Sequence, residues 1–257
     1  MHCPVTCRSR TIALSPSERE RYDRQIGAGV LTEEGQLRLK QATAFITRTG
    51  GMGGPASLML TMAGVGNVII AHGGEMISPD LNRQLLGSED VVGKLRAPDF
   101  GNYLRSMNHF VNVEALPYEP DAAQASELAE RSQVILACPP GFEERMRLNE
   151  AAVKARVPLI DAAQWGMTGT LIVVRPGETA CLRCIYPEAP PFEELFPVVG
   201  AISCAIGSLA ALEAIKILSQ TGQPLWGKML TYDGFHGQTN IVELTRDPNC
   251  PCCGELV

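Results

Sequence analysis

"TAFITRTGGMGGPASLMLTMAGVGNVIIA", residues 43–71, decides the fold. Two short apolar, β-branched runs, "TAFITR" and "NVIIA", flank a glycine-rich turn and a helical stretch, "PASLMLTMAG". Strand, tight turn, helix and second strand in that order make a parallel β-α-β unit, whose turn leaves backbone N–H groups at the start of the helix. The pattern recurs downstream. "VNVEAL", "QVILAC" and "PLIDAA" read as further strands, and "VGKLRAPDFGNYLRSM" and "FEERMRLNEAAVKAR" as helices, the latter with Phe142, Met146 and Val153 at helical spacing. Such alternation predicts a doubly wound, mostly parallel, Rossmann-like α/β sheet. The pattern then changes: "GTLIVVR", "KMLTYDG" and "TNIVELT" read as antiparallel strands, separated by a Pro-rich loop, "YPEAPPFEELFPVV", and a long apolar helix over 205–219. Residues 21–257 form one domain on this reading, with a nucleotide-binding-type core over about 40–165 and a C-terminal part over about 166–257. Residues 1–20 read as a tail.

A chain of 257 residues with 45% hydrophobic residues can bury a sizeable core. Its net charge of −6 and pI near 5.3 argue against binding nucleic acid by broad phosphate neutralisation. The start, "MHCPVTCRSRTIALS", lacks the apolar stretch of a signal peptide, and the longest uncharged run, 49–74, is too broken by glycines and Pro55 to span a bilayer. The expectation is a soluble, cytoplasmic protein with neither a nucleic-acid nor a membrane partner.

Nine cysteines without a secretion signal point to metal or thiol chemistry. "CLRC" supplies Cys181 and Cys184, and "CPCC" supplies Cys250 and Cys253. Two C-x-x-C pairs can give four thiolates to one tetrahedral zinc, a closed and therefore structural site that would staple the C-terminal part to the tail of the chain. Cys252 reads as a bystander. Among the other thiols, Cys204 in "AISCAIG" reads as a small core residue, and Cys138 as a strand-end thiol at the mouth where ligands of open sheets collect. His2, Cys3 and Cys7 make at most a weak metal site. Glu213 and Lys216 read as a surface or interface ion pair.

Taken in order, "RYDRQI", the glycine-rich turn, "AGVGNVIIA", "LNRQLLG", "CLRCIYPEAPP", "GSLAALEAIKIL" and "DPNCPCCG" resemble the ThiF, MoeB and HesA group, bacterial relatives of ubiquitin-activating enzymes, over roughly residues 20–254. The resemblance implies a homodimer that grips a small ubiquitin-fold carrier protein. In active members it also implies adenylylation of that carrier's C-terminal Gly-Gly carboxylate with Mg-ATP.

Carried over by position, the nucleotide site departs from the family pattern. The family's G-x-G-G-x-G turn keeps Gly50, Gly51 and Gly53, but its first glycine is Arg48. The strand that normally ends in Asp-x-Asp ends in "AHGGEM", placing His72 and Gly74 at the two acids. The Asp-x-x-Asp-Asn that directs a carboxylate at magnesium reads "ACPPG", with Ala137 and Pro140 at the acids. Glu75 and Glu143 are the carboxylates nearby in sequence. Arg96 takes the place of the family's phosphate-side lysine, with Lys94 two residues earlier. What remains is Arg24, where the family offers an arginine across the dimer, and Asn82 with Arg83 in "LNRQ". The resemblance thus implies recognition of a Gly-Gly tail by a non-catalytic member, with ATP and magnesium doubtful. The alternative is an active adenylyltransferase with atypical contacts.

Overall fold

The computed structural model describes residues 13–27, 29–191 and 196–256. His2, Cys3, Cys7 and part of "PFEELF" lie outside the described residues. Three helices, α1 (Pro16–Arg21), α2 (Asp23–Ile26) and α3 (Glu33–Gln41), lead into β1 (Thr43–Thr47). Then follow α4 (Gly53–Ala63), β2 (Asn67–Ala71), α5 (Arg96–Met107), β3 (Asn112–Leu116), α6 (Ala122–Glu130), β4 (Val134–Ala137), α7 (Phe142–Ala155) and β5 (Leu159–Trp165). The chain ends with β6 (Thr168–Val174), α8 (Leu182–Ile185), α9 (Gly200–Ser219), β7 (Lys228–Asp233) and β8 (Gln238–Glu243). One eight-stranded sheet runs β3-β2-β1-β4-β5-β6-β7-β8; pairings are parallel as far as β5 and antiparallel from there on.

Period-two alternation splits each central strand between two cores. Ala44 and Ile46 of β1 face α4, α5 and α9, packing with Leu60, Phe100 and Ile206, whereas Phe45 faces α6 and α7, packing with Leu128 and Met146. Helices therefore cover both faces, as the sequence predicts. Because β1 lies between β2 and β4, the strand order reverses at its carboxyl end, and this is where ligands of open α/β sheets collect.

Several boundaries differ from the sequence reading. The helix expected from Val92 starts at Arg96, because Gly93 takes φ +81 and Val92 and Leu95 form bridges to Met76 and Glu75. Helix α9 starts at Gly200, not at 205, so Cys204 is helical and Ser203 reaches the glycine turn: a Cβ at Gly51 would lie 2.9 Å from the Ser203 hydroxyl. Helices α1, α3 and α6 carry side-chain N-caps, Ser15, Thr32 and Asp121, that the apolar pattern did not reveal. Glu213 is buried, not at the surface. It pairs with Lys216 and accepts a 2.9 Å hydrogen bond from Leu225 N, so the pair clamps the loop after α9.

Candidate functional site

The turn after β1 keeps its shape although it opens on arginine. Arg48 sits in the left-handed region at φ +53, which favours glycine, and its N–H donates to Ala71 O at 2.7 Å. Gly53 is required by packing, since a Cβ there would lie 2.6 Å from Arg48 O. The Arg48 side chain turns onto two carboxylates: Nε donates to Glu144 Oε2 at 2.8 Å, and Nη1 pairs with Glu119 Oε1 at 2.7 Å. Glu119 arrives from beyond β3 and also accepts from Gly73 N at 3.1 Å. Neither Glu119 nor Glu144 was singled out in the sequence, because each lies far from the turn along the chain.

Beyond the turn opens a cavity of about 530 Å³. On its loop side, Asp80 is buried between Arg83 Nη2 at 3.0 Å and Arg96 Nη1 at 3.2 Å. Arg96 is fixed further through Gln84 and the backbone carbonyls of Gly74 and Glu75, and burial pulls its pKa down. On the floor, Arg145 pairs with Asp161 and donates to the Pro139 and Ala162 carbonyls. Burial raises the Asp161 carboxyl above the usual range and Arg145 opposes that shift. The outer wall is apolar: Trp165 stacks with Phe196 at 6.5 Å between centroids, and Phe142 meets Tyr186 edge-on at 4.9 Å.

His72 lines the cavity where β2 ends. Its Nε2 lies 3.4 Å from Arg96 Nη1, and burial together with the Arg96 and Arg48 charges lowers its pKa from 6.5 to about 3. Between those two values the unfolded chain binds the extra proton. Stability therefore falls as pH drops below 6.5, by up to about 1.4 kcal/mol per pH unit from this one group. In urea titrations at pH 6.5 to 4.5, His72→Asn is expected to flatten the slope by that amount. An unchanged slope would mean that His72 is not held neutral in the folded state.

Of the residues singled out in the sequence, Gly50, Gly51, Arg83 and Arg96 line the cavity, as do Arg48, His72, Cys138 and Pro140. Others do not reach it. Lys94 is exposed on the turn before α5, Glu75 and Glu143 are exposed and do not line the cavity, and Asn82 serves as an acceptor for Arg83 Nη1 at 3.0 Å. Arg24 is exposed on α2 and does not line its own chain's cavity. Cys138 is buried, and burial pushes its thiol up to about 12, which makes it inert. Pro140 stands where a magnesium acid would be, and among the described residues the lining carboxylates are Asp80 and Asp161, both engaged by arginines. This side-chain set does not fit Mg-ATP.

The four cysteines do come together. Their sulfurs all lie within 4.8 Å of one another, with Cys184–Cys253 at 3.5 Å, Cys181–Cys250 at 3.8 Å and Cys181–Cys184 at 3.9 Å. Tetrahedral zinc with bonds of about 2.3 Å requires sulfurs about 3.8 Å apart, so the cluster can hold a metal ion and fits a zinc lobe. Cys252 lies outside the four-sulfur set; its sulfur accepts from Asn149 Nδ2 at 3.2 Å, and Asn149 Oδ1 accepts from Leu182 N at 2.9 Å, tying α7 to both cysteine pairs.

The ThiF family model matches residues 22–252. Protein HesA of Leptolyngbya boryana is 40% identical over 242 residues, covering 94% of this chain and 87% of the relative. The sulfur carrier protein adenylyltransferase of Thermus thermophilus is 32% identical over 248 residues, 93% and 92% of the two chains. Among solved structures, E. coli MccB with MccA-N7isoASN superposes with a TM-score of 0.83 at 22% identity, over 91% of this chain and 75% of that one, which is a likeness of fold. A glycine turn at the sheet's switch point, a four-cysteine lobe and relatives matched along nearly the whole length lead to one conclusion: the chain belongs to the ThiF family.

Proposed function

We propose that this protein recognises the C-terminal Gly-Gly tail of a small ubiquitin-fold sulfur-carrier or modifier protein and holds it without adenylylating it, as a homodimer with zinc at the four-cysteine site. One observation carries the non-catalytic part: Asp80 and Asp161 are both engaged by arginines, which leaves magnesium and ribose without a carboxylate ligand on the cavity wall. The carrier part is supported by the naming of the Thermus thermophilus relative and by a cavity whose apolar mouth, between Trp165 and Tyr186, leads to an interior of arginines paired with carboxylates. An extended, side-chain-free tail suits that shape. The exposed Arg24, without a role in its own cavity, supports a two-fold pair in which it serves the partner.

A pull-down tests the reading with a Gly-Gly-ended carrier from the source organism and the same carrier shortened by two glycines. Full-length carrier is expected to bind at least about ten-fold more tightly, a difference of about 1.4 kcal/mol, and light scattering to give twice the 27.7 kDa chain mass. Equal binding of the two carriers, or a monomer at micromolar concentration, would count against it. A second reading, adenylylation through atypical contacts, is favoured by Glu119, whose carboxylate touches Gly73 N beside the vacated ribose position. It requires Arg48 to release Glu119, and carrier-dependent ATP–pyrophosphate exchange would establish it.

A further inference from the structure

Zinc at the four-cysteine site would bring a charge that its sulfurs alone cannot offset. Four thiolates around a divalent cation leave a net double negative charge, and Cys181, Cys250 and Cys253 are buried. Buried charge needs hydrogen-bond donors or a countercharge at close range. Around three of the sulfurs neutral donors are in place. Cys181 faces the N–H of Cys184 and the side chain of Asn149, Cys184 faces Asp247 N, and Cys250 faces the N–H groups of Cys252 and Cys253. At Cys253 the donor is a cation: the Arg246 guanidinium meets its sulfur.

Arg246 is fixed in that position from both sides. Leu244 N donates to Gly227 O at 2.8 Å, anchoring the segment beside the start of β7, and Arg246 Nη2 donates to Cys253 O at 2.6 Å and Leu256 O at 2.5 Å. Its Nε is buried and has no hydrogen-bond acceptor. Among the described residues no carboxylate pairs with it. The other arginine of the lobe, Arg183, has Glu150 at 3.6 Å, and the carboxylates of Asp247 and Glu255 lie on exposed residues, where water screens them. A guanidinium without a carboxylate, with one N–H buried and unmatched, gains little from a neutral thiol, which is a weak acceptor. It gains much from a thiolate, because a hydrogen bond between two ionised groups is short and strong.

We propose that Arg246 is a positioning residue of the metal centre: it offsets part of the negative charge of the four metal-bound thiolates and donates an N–H to Cys253. The proposal rests on the zinc reading and adds to it a residue outside the four ligands. Outer-shell partners of this kind orient a ligand and raise the affinity of the site without touching the metal. Because the same guanidinium holds the carbonyls of Cys253 and Leu256, it also couples metal binding to the order of the chain's last turn.

The test is competition for zinc against a chromophoric chelator, on native protein, Arg246→Gln and Arg246→Lys, repeated with cobalt(II) to follow the sulfur-to-metal absorption band. Arg246→Gln is expected to weaken zinc binding about 10- to 100-fold, the loss typical of an outer-shell partner. Its cobalt band is expected at longer wavelength, since the Cys253 thiolate has lost a donor. Arg246→Lys, which keeps the charge, is expected to recover most of the affinity. Native affinity in Arg246→Gln, or equal loss in both variants with the cobalt band unmoved, would show that Arg246 only staples the terminal turn; either overturns the proposal and leaves the metal site standing. If Arg246→Gln does not fold, nuclear magnetic resonance on native protein decides: the Arg246 Nε–H signal is expected to move downfield on addition of zinc, and an unmoved signal overturns the proposal. Native protein that takes up no zinc overturns both the metal reading and the role of Arg246.

Discussion

Replacing Cys181 with serine is expected to strip the metal from the protein and to cost several kcal/mol of stability. Cys181 is fully buried and stands 3.8 Å from Cys250 and 3.9 Å from Cys184, so its thiolate is one corner of the tetrahedron. The two halves of the site are 69 residues apart in sequence, and a metal bound by all four sulfurs would close that loop. Structural zinc sites in small peptides are worth about 10–16 kcal/mol, nearly all of it folding free energy. Here the lobe also packs against the core, where Cys181, Leu182, Cys250 and Cys253 join Met146 and Val153 of α7, so part of the lobe's order survives metal loss. A drop of several kcal/mol follows, in denaturant unfolding or as a separate early melting transition. Cys252→Ser should retain the metal, since Cys252 touches Asn149 outside the four-sulfur set. Elemental analysis decides: metal well below one per chain in native protein purified without chelator, or unchanged content in Cys181→Ser, would sink the assignment.

The metal site was legible because a ligand set is written in spacing. Two C-x-x-C pairs fix which sulfurs converge whatever lies between them. The parallel core was legible for a similar reason: β-branched runs separated by helical patterns leave few topologies, and the expected strands over 43–71 and 111–163 form with small changes at their ends. Helix starts were harder. Val92 to Leu95 carries a helical pattern, yet two bridges to the 75–76 segment outweigh it, and these are tertiary contacts that no local window contains. The charge pairing of the cavity was the least legible. Glu144 is 96 residues from Arg48, and Asp80 sits beside the motif "LNRQ" without belonging to it. One signal was available: Asp161 is a lone acid inside the apolar strand "PLIDAA", and a buried acid requires a partner, which Arg145 supplies.

Mg-ATP is expected to bind more weakly than about 10 µM, roughly −7 kcal/mol, and not to be turned over. Two charged contacts of the family pattern are absent, the acids replaced by Gly74 and Pro140. At about 1.5–3 kcal/mol each, their loss amounts to about 3–6 kcal/mol if additive, or on the order of a hundred- to ten-thousand-fold in affinity. The structure adds a cause that the sequence did not show. Arg48 is not free to greet a phosphate, because Glu119 and Glu144 already hold its guanidinium at 2.7 and 2.8 Å. Any triphosphate must displace those carboxylates or face their charge. Arg48→Gly sharpens the point: it relieves a left-handed backbone strain of about 1–2 kcal/mol and reopens the turn, but strands Glu119 and Glu144, one of them largely buried, beside the phosphate space. Restoring the glycine alone is therefore expected to leave ATP binding unmeasurable and to destabilise the protein, since an unpaired buried carboxylate costs more than the strain returns. Calorimetry on native protein and Arg48→Gly checks both statements. Native affinity tighter than 10 µM would refute the degenerate-site reading, and so would carrier-dependent pyrophosphate exchange abolished by Arg24→Ala or Arg83→Ala, because the surviving arginines would then still serve an adenylylation site.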